Sequence, residues 1–415
     1  MHYPLIKHFS VIIFLLNLTV FPLLSQEHTA YFSTLVFVET PLSYLEGSVP
    51  ISFQEAMNRN HYRFVYDVQN RLRSIRFYNG EQPKNLNHTT NHFMRSSWLK
   101  FDYGSSQESI TFYDRFGRPV EVLGGCHRFV YELDSLGRRQ KLYFENMAGE
   151  RIEVSWNIYE YQWIRETTGA LIEERYNQAG KIMPIRPYFK FFRTRFFFDY
   201  QGRIRLMQNV DKEGRLIENE SGAAQDLLTL NKAGNLISWQ VLDKAGNPEK
   251  GNSPNVAQGI QTINEYGFET GLLNWDENQK PIYNTYGICQ SKTSFDQWGN
   301  LKERRFFDPQ GKPAGHLIAG YHQLKLYWDQ SGNQRKKLEY YDTQGQLTLH
   351  KTRGYALVRH NYDQKGNLIK IAYYNREGQL VNRKDNGIAY LNFNYNKDGK
   401  QISRQGFDRD GKLIQ

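Results

Sequence analysis

The chain has 415 residues, a net charge of +10, and Phe, Tyr and Trp at 15% against an apolar total of 39%, with Gly outnumbering Pro 33 to 13. That length admits two or three ordinary domains or one elongated array, and aromatic residues mixed with turn-forming glycine exclude a long-helix protein and favour many short strands. The basic balance suits phosphate backbones, anionic lipid or acidic glycans, but the charges are dispersed with few runs of Lys or Arg, as on a solvated surface.

At the N-terminus, Lys7 with His2 and His8 precede an apolar stretch over residues 11–24, and Ser25 follows as a small residue. Such a stretch falls short of the roughly 20 residues a bilayer span needs. Residues 1–25 are therefore read as an export signal, with an uncleaved membrane anchor as the alternative. This places the protein in the periplasm, on the outer surface or in the medium. Residues 26–61 are too few to bury an independent core and are expected to cap the remainder of the chain.

From residue 62 to 415 the chain is read as one repeat domain. A four-residue word, acidic or amide first and usually Gly last, occurs in pairs at Asp67/Asn79, Asp102/Asp114, Asp134/Asn146 and onward to Asp363/Asn375 and Asn396/Asp408. There are eleven such pairs, and their first members advance by 32 to 35 residues. A fixed period of this length marks a repeat architecture. Asp or Asn opening a type I turn accepts a hydrogen bond from the backbone two residues on, and Gly in fourth place takes positive φ without a Cβ clash. Each word is thus expected to close a β-hairpin with a bulge. Eighteen of the 22 fourth places are Gly, the exceptions being Asn70, Gln82, Ser105 and Gln279.

Between words lie two strands per unit. Residues seven, five, three and one before a first word read Ala389, Leu391, Phe393, Tyr395 in the last unit, and His127, Phe129, Tyr131, Leu133 in the third. Alternation in a fixed register buries one face of the sheet. The connector in the long half, as in "NRKDNG" at 382–387, is read as a bend crossing an edge. The expected fold is all-β, an antiparallel array of about 22 strands. Open twisted sheets rarely exceed about ten strands without curling, so the array must coil into a spiral, shell or solenoid-like sheet.

At "YDQKGNLIK", "FDQWGNLKE" and "FDYQGRIRL" the chain resembles the YD repeats of the bacterial RHS family, over roughly residues 62–415. The resemblance implies a curling β-sheet shell or spiral on a secreted or surface protein. RHS proteins are far longer and end in a variable toxin domain, whereas this sequence stops inside a unit at "DRDGKLIQ". The stretch "RGYALVRHNYD" is also similar to bacterial WG repeats.

Other constellations have plain structural readings. In "RPYFKFFRTRFFFDYQGRIR" basic residues interleave with aromatics as in a nucleic-acid or lipid grip, but the register buries Phe192, Thr194, Phe196 and Phe198 and leaves Arg193 and Arg195 opposite. His88 and His92 have metal-ligand spacing without a third ligand. "DRDG" at 408–411 carries Lys412 where a calcium loop needs oxygen. Cys126 and Cys289, in the third and seventh units, are expected to be buried free thiols. The repeated Asp residues are explained by their turns rather than as catalytic carboxylate pairs.

The functional expectation is an exported, non-catalytic binding or structural scaffold at the cell envelope, with no cofactor and no specific nucleic-acid partner. A glycan or protein ligand is expected on an outer surface that includes Lys302, Arg304, Lys336, Lys370, Arg193 and Arg195. Self-association through the last unit, and membrane contact through an uncleaved leader, are further expectations. The rival reading is a fragment or relative of an RHS-type toxin-encapsulating shell.

Overall fold

A computed structural model describes residues 27–86, 93–187, 189–397 and 399–414. The proposed export signal and the His88/His92 pair lie outside these. Among the described residues the only helix is Phe53–Ala56, and none is long and apolar enough to cross a membrane.

The words fold as their chemistry requires. In twenty of the 22, the backbone N–H of the fourth residue donates to the carbonyl of the first, as Gly366 does to Asp363 at 3.0 Å. The opening side chain holds the bend from within. Asp134 Oδ1 accepts from the backbone N–H of both Leu136 and Arg138 at 2.9 Å. Two non-glycine residues, Asn70 and Gln279, also take the left-handed conformation in fourth place, at φ 60° and 58°. The first two units depart from the pattern. Asp102 lies inside the strand Trp98–Tyr103 rather than opening a bend, and the chain turns instead over 104–107, where Gly104 N donates to Gln107 O at 2.7 Å. Asn79 pairs directly with Gln82 across a two-residue turn.

Among the described residues the result is one 25-stranded antiparallel sheet in which each repeat strand pairs with the next in sequence. Residues 28–61 extend it. His28–Leu35 pairs with Asn60–Tyr66 on one side and with Gly47–Ile51 on the other. A β-bulge flanks nearly every first word, as where Asn361 and Tyr362 face Lys370 and Leu368, and such bulges increase local twist. Inward side chains make edge-to-face aromatic chains from unit to unit. Phe112, Phe129, Phe144 and Tyr161 follow one another at centroid distances of 5.0, 5.2 and 6.1 Å. Phe192 is a correction: expected on the buried face, it precedes the strand Arg193–Phe198 and is 40% exposed, while Thr194 and Phe196 are buried.

The connectors form a second layer. Each returns briefly beside its own strand, as Leu380 does beside Tyr374. It then packs its apolar residues, such as Ile388, against the inward face. Successive connectors are tied by backbone bonds, Leu317 N to Tyr286 O at 2.9 Å, Lys351 N to Ala319 O at 2.8 Å and Lys384 N to Arg353 O at 3.0 Å. Cys126 and Cys289 sit at the ends of connectors, both buried and neither in a disulfide.

The sheet coils, and successive turns touch rim to rim. Asn79 Nδ2 donates to Ser331 O at 2.7 Å, a contact 252 residues apart, and Arg115 reaches Gly366 O across 251. Second words of the early units therefore stack on first words about seven and a half periods later. Lys84 pins the same seam. Its buried ammonium donates to Asn60 and Asn300 side chains at 2.8 and 2.5 Å and to Gly332 O at 2.5 Å. Some fifteen strands per turn give a circumference of roughly 70 Å at the usual strand spacing, and face-to-face layers pack about 10 Å apart. Such a lumen has room for one internal layer of chain.

Candidate functional site

That layer is residues 36–46. After the strand His28–Leu35 the chain leaves the sheet, crosses the hollow of the first turn and returns at Gly47–Ile51. Phe37 N donates to Gly234 O at 2.9 Å in the sixth unit, whereas Pro41 O accepts from Tyr131 Oη in the third at 3.0 Å. Contacts with opposite walls fix the segment in place.

The segment is held by buried charges. Arg139 Nη1 donates to the carbonyls of Pro41, Leu42 and Ser43 at 3.0, 2.9 and 3.2 Å, and the guanidinium is ion-paired to Glu108. Its plane lies between the rings of Tyr131 and Tyr44, at 3.9 and 4.1 Å. Thr40 donates to Glu173, which also accepts from Trp163 Nε1 at 2.8 Å and pairs with Arg175 at 2.5 Å. Glu39 is paired with Arg186. Burial nevertheless raises the Glu39 carboxyl above its ordinary range, the Arg186 charge only partly offsetting the lost water.

Two cavities flank the segment. The larger, of 440 Å³, opens beside the first words of the third to fifth units and is lined by Val36, Phe37, Leu42, Phe198 and Leu228 together with Arg165 and Arg203. The smaller, of 210 Å³, lies deeper, against Trp239, Met207 and the Asp226 carboxyl. Asp226 is 6% exposed, and its Oδ1 has no hydrogen-bond partner among the described residues. Burial raises its pKa well above the usual carboxylate range, with the neighbouring Glu39 adding to the effect. Asp226 stands five residues before a first word, the slot filled by Phe129, Val358 and Leu391 in other units. Restoring the apolar slot with Asp226→Leu is expected to stabilise the protein by about 1–3 kcal/mol, since a well-packed apolar group outcompetes a buried ionisable one. Urea unfolding at pH 7 reads this directly, and an unchanged or lower midpoint would refute it.

The six basic residues singled out in the sequence are not brought together into one site. Arg193 and Arg195 are half-buried and engaged on the outward face, Arg193 with Glu174 at 3.1 Å and Arg195 with Glu166 at 2.9 Å. Arg304 points inward and donates to Thr293 Oγ1 at 3.2 Å. Lys302 and Lys336 are exposed in the bulges after their words, where Lys336 Nζ donates to Gln334 at 2.7 Å. Lys370 faces outward over the ring of Tyr390 at 4.3 Å.

Three other outward pairs form a regular row that the sequence reading missed. Lys292 lies 5.1 Å from the centre of the Phe307 ring, Lys325 4.6 Å from that of Tyr341 and Arg359 5.0 Å from that of Tyr374. In each pair the cation stands four residues before a first word and the ring one residue before a second word. Three successive units thus carry the same cation and ring on the outer face. Reading those two slots across units finds them once the wet face is known. Among the described residues no group of three or more His, Cys, Asp or Glu side chains is placed to hold a metal.

No family model and no curated protein matches the chain. Among solved structures it is similar to the crystal structure of TcdB2-TccC3-TEV, at 11% identity over 85% of this chain and 17% of that one, with a TM-score of 0.27. It is also similar to the Photorhabdus luminescens Tc holotoxin pore, at 11% identity over 85% and 19%, TM-score 0.25. A porin-like protein from Bacteroides uniformis is matched at 11% identity over 67% and 87%, TM-score 0.22. The chain spans a fifth or less of the length of the Tc toxin chains it matches.

Proposed function

We propose that the protein is an exported, non-catalytic β-repeat scaffold of the cell envelope or surface that binds an acidic glycan along its outer face. The observation that carries this reading is the row of cation and ring pairs Lys292/Phe307, Lys325/Tyr341 and Arg359/Tyr374. One unit advances the row by two strands, about 9.6 Å, so it presents a positive charge and an aromatic surface at a constant step. A polymer with regularly spaced carboxylates or sulfates matches that step; a compact ligand engages one pair only. Apolar sugar faces pack on rings, while the cations answer the anionic groups.

The second reading, a relative of toxin-encapsulating RHS shells, is favoured by the coiling itself. The first turn is nevertheless filled by the chain's own residues 36–46, and a chamber of 440 Å³ holds a small molecule, not a folded domain. Cargo would have to lie beyond this turn.

Retention on a heparin column and binding to acidic members of a glycan array test the proposal. The triple variant Lys292→Ala, Lys325→Ala, Arg359→Ala is expected to elute at distinctly lower salt and to lose array binding, with the glycans recovered uncut. Unchanged retention, or release of cleaved sugars, overturns the reading.

A further inference from the structure

We propose that the 440 Å³ chamber beside residues 36–46 is a binding site for an amphipathic anion, an apolar acyl or aryl body carrying a single carboxylate, sulfonate or phosphate. Three observations converge on this chemistry. The first is shape and lining. The volume falls within the range of small-molecule sites, and Phe37, Leu42, Phe198 and Leu228 give it an apolar floor.

The second is the sign of the charge. Arg138, Arg139, Arg165 and Arg203 line the chamber against Glu39 and Glu46. Most of these are engaged elsewhere: Arg138 with Asp134 at 2.7 Å, Arg139 with Glu108, Glu39 with Arg186 and Arg203 with Glu46 at 3.8 Å. Arg165 alone among them has no side-chain hydrogen bond or ion pair within the described residues. It is exposed at the end of the strand Glu160–Arg165, and its charge acts on the neighbouring Tyr44 hydroxyl. A guanidinium left free over an apolar chamber is a receptor for an anionic head group.

The third is the slot itself. Arg165 stands one residue before the first word of the fourth unit. The same place holds Leu133, Phe198, Leu230, Ile263, Phe295 and Trp328 in other units, each an inward apolar residue. Hairpin, strand and bulge around it are otherwise those of the array, so nothing in the repeat fold demands the charge. Together with Asp226, it makes the hollow of the first turn the place where the inward face departs from its own rule.

Isothermal titration with dodecanoate below its micellar concentration tests the proposal, with dodecylammonium as the opposite-charge control. Dodecanoate is expected to bind at least tenfold more tightly than dodecylammonium. Arg165→Leu, which restores the residue type of the neighbouring units and leaves the fold intact, is expected to raise the dodecanoate Kd at least tenfold, the scale of one charge-assisted hydrogen bond. Leu42→Trp, which intrudes on the apolar floor of the chamber, is expected to weaken binding of both amphiphiles. Co-sedimentation with phosphatidylglycerol vesicles separates the possible sources. Dodecanoate binding without co-sedimentation assigns a free anion, and co-sedimentation lost in Arg165→Leu assigns a lipid head group. Equal affinity for both amphiphiles, a Kd indifferent to Arg165→Leu, or no binding at all overturns the proposal. The triple outer-face variant should bind dodecanoate as the native protein does, so this site and the glycan row stand or fall separately.

Discussion

Arg175→Met is expected to lower the unfolding free energy by about 3–5 kcal/mol, the usual cost of removing one partner from a buried ion pair. Arg175 is fully buried, and all three of its nitrogens are spoken for. Nη1 holds Glu173 at 2.5 Å. Nη2 donates to the carbonyls of Phe191 and Phe192 at 2.8 Å and to Thr194 Oγ1 at 3.0 Å, and Nε donates to Met183 O at 3.2 Å. Methionine fills much of the volume but leaves a carboxylate uncompensated and three connector carbonyls without this donor. Each such loss costs about 1–3 kcal/mol where water cannot enter. Urea unfolding of Arg175→Met, Glu173→Leu and the double variant measures this. The double variant should fall well short of the sum of the singles, because removing both charges spares the stranded carboxylate. A single variant within about 1 kcal/mol of the native protein would show that the pair contributes little.

Arg175 also shows what the sequence displays and what it conceals. The period near 33 residues, the bends and the antiparallel order follow from local chemistry, since an Asp or Asn and a left-handed Gly set each turn within four residues. Arg175 stands two residues before a second word, where Phe112, Phe144, Tyr340 and Tyr373 stand in other units. Its departure is visible once that slot is read through the array. The partner is not. Residues 36–46 carry no periodic signal, and their contacts with Tyr131, Glu173 and Gly234 span the first turn. The site they share depends on how tightly the sheet coils. Coiling is the sum of small twists and bulges over some fifteen strands, which no single unit specifies. The outer row of cations and rings was legible in principle, but only after the structure settled which face of the short strands is wet.

Acid is expected to unfold the protein from about pH 6.5 downward, well before its turn carboxylates titrate. His61, His350 and His360 are buried, and burial lowers their pKa values to about 4, about 4 and about 3. Because these folded-state values lie below the ordinary histidine value of 6.5, the unfolded chain binds more protons in the interval. Stability is therefore full above pH 6.5 and is lost as pH falls toward 4. Each histidine adds a slope of up to about 1.4 kcal/mol per pH unit, so three together give up to about 4. His360 has the clearest cause after burial: its Nε2 lies 3.1 Å from Arg335 Nη2, so the ring accepts there and protonation would set two cations face to face. Asp226 acts in the opposite sense, since a carboxyl raised by burial favours the folded state as pH falls. Turn residues such as Asp134, held down at about 2 by its bonds to Arg138, contribute only below the histidine window. His360→Phe keeps the ring volume and removes one titration. The variant should lose about one proton's worth of slope between pH 6 and 4 in urea midpoints, with the remaining slope owed to His61 and His350 and to His316, which burial also lowers. If native and variant curves run parallel through that interval, His360 is not buried in its neutral form, and the inward face is wetter than the packing of the ninth to eleventh units implies.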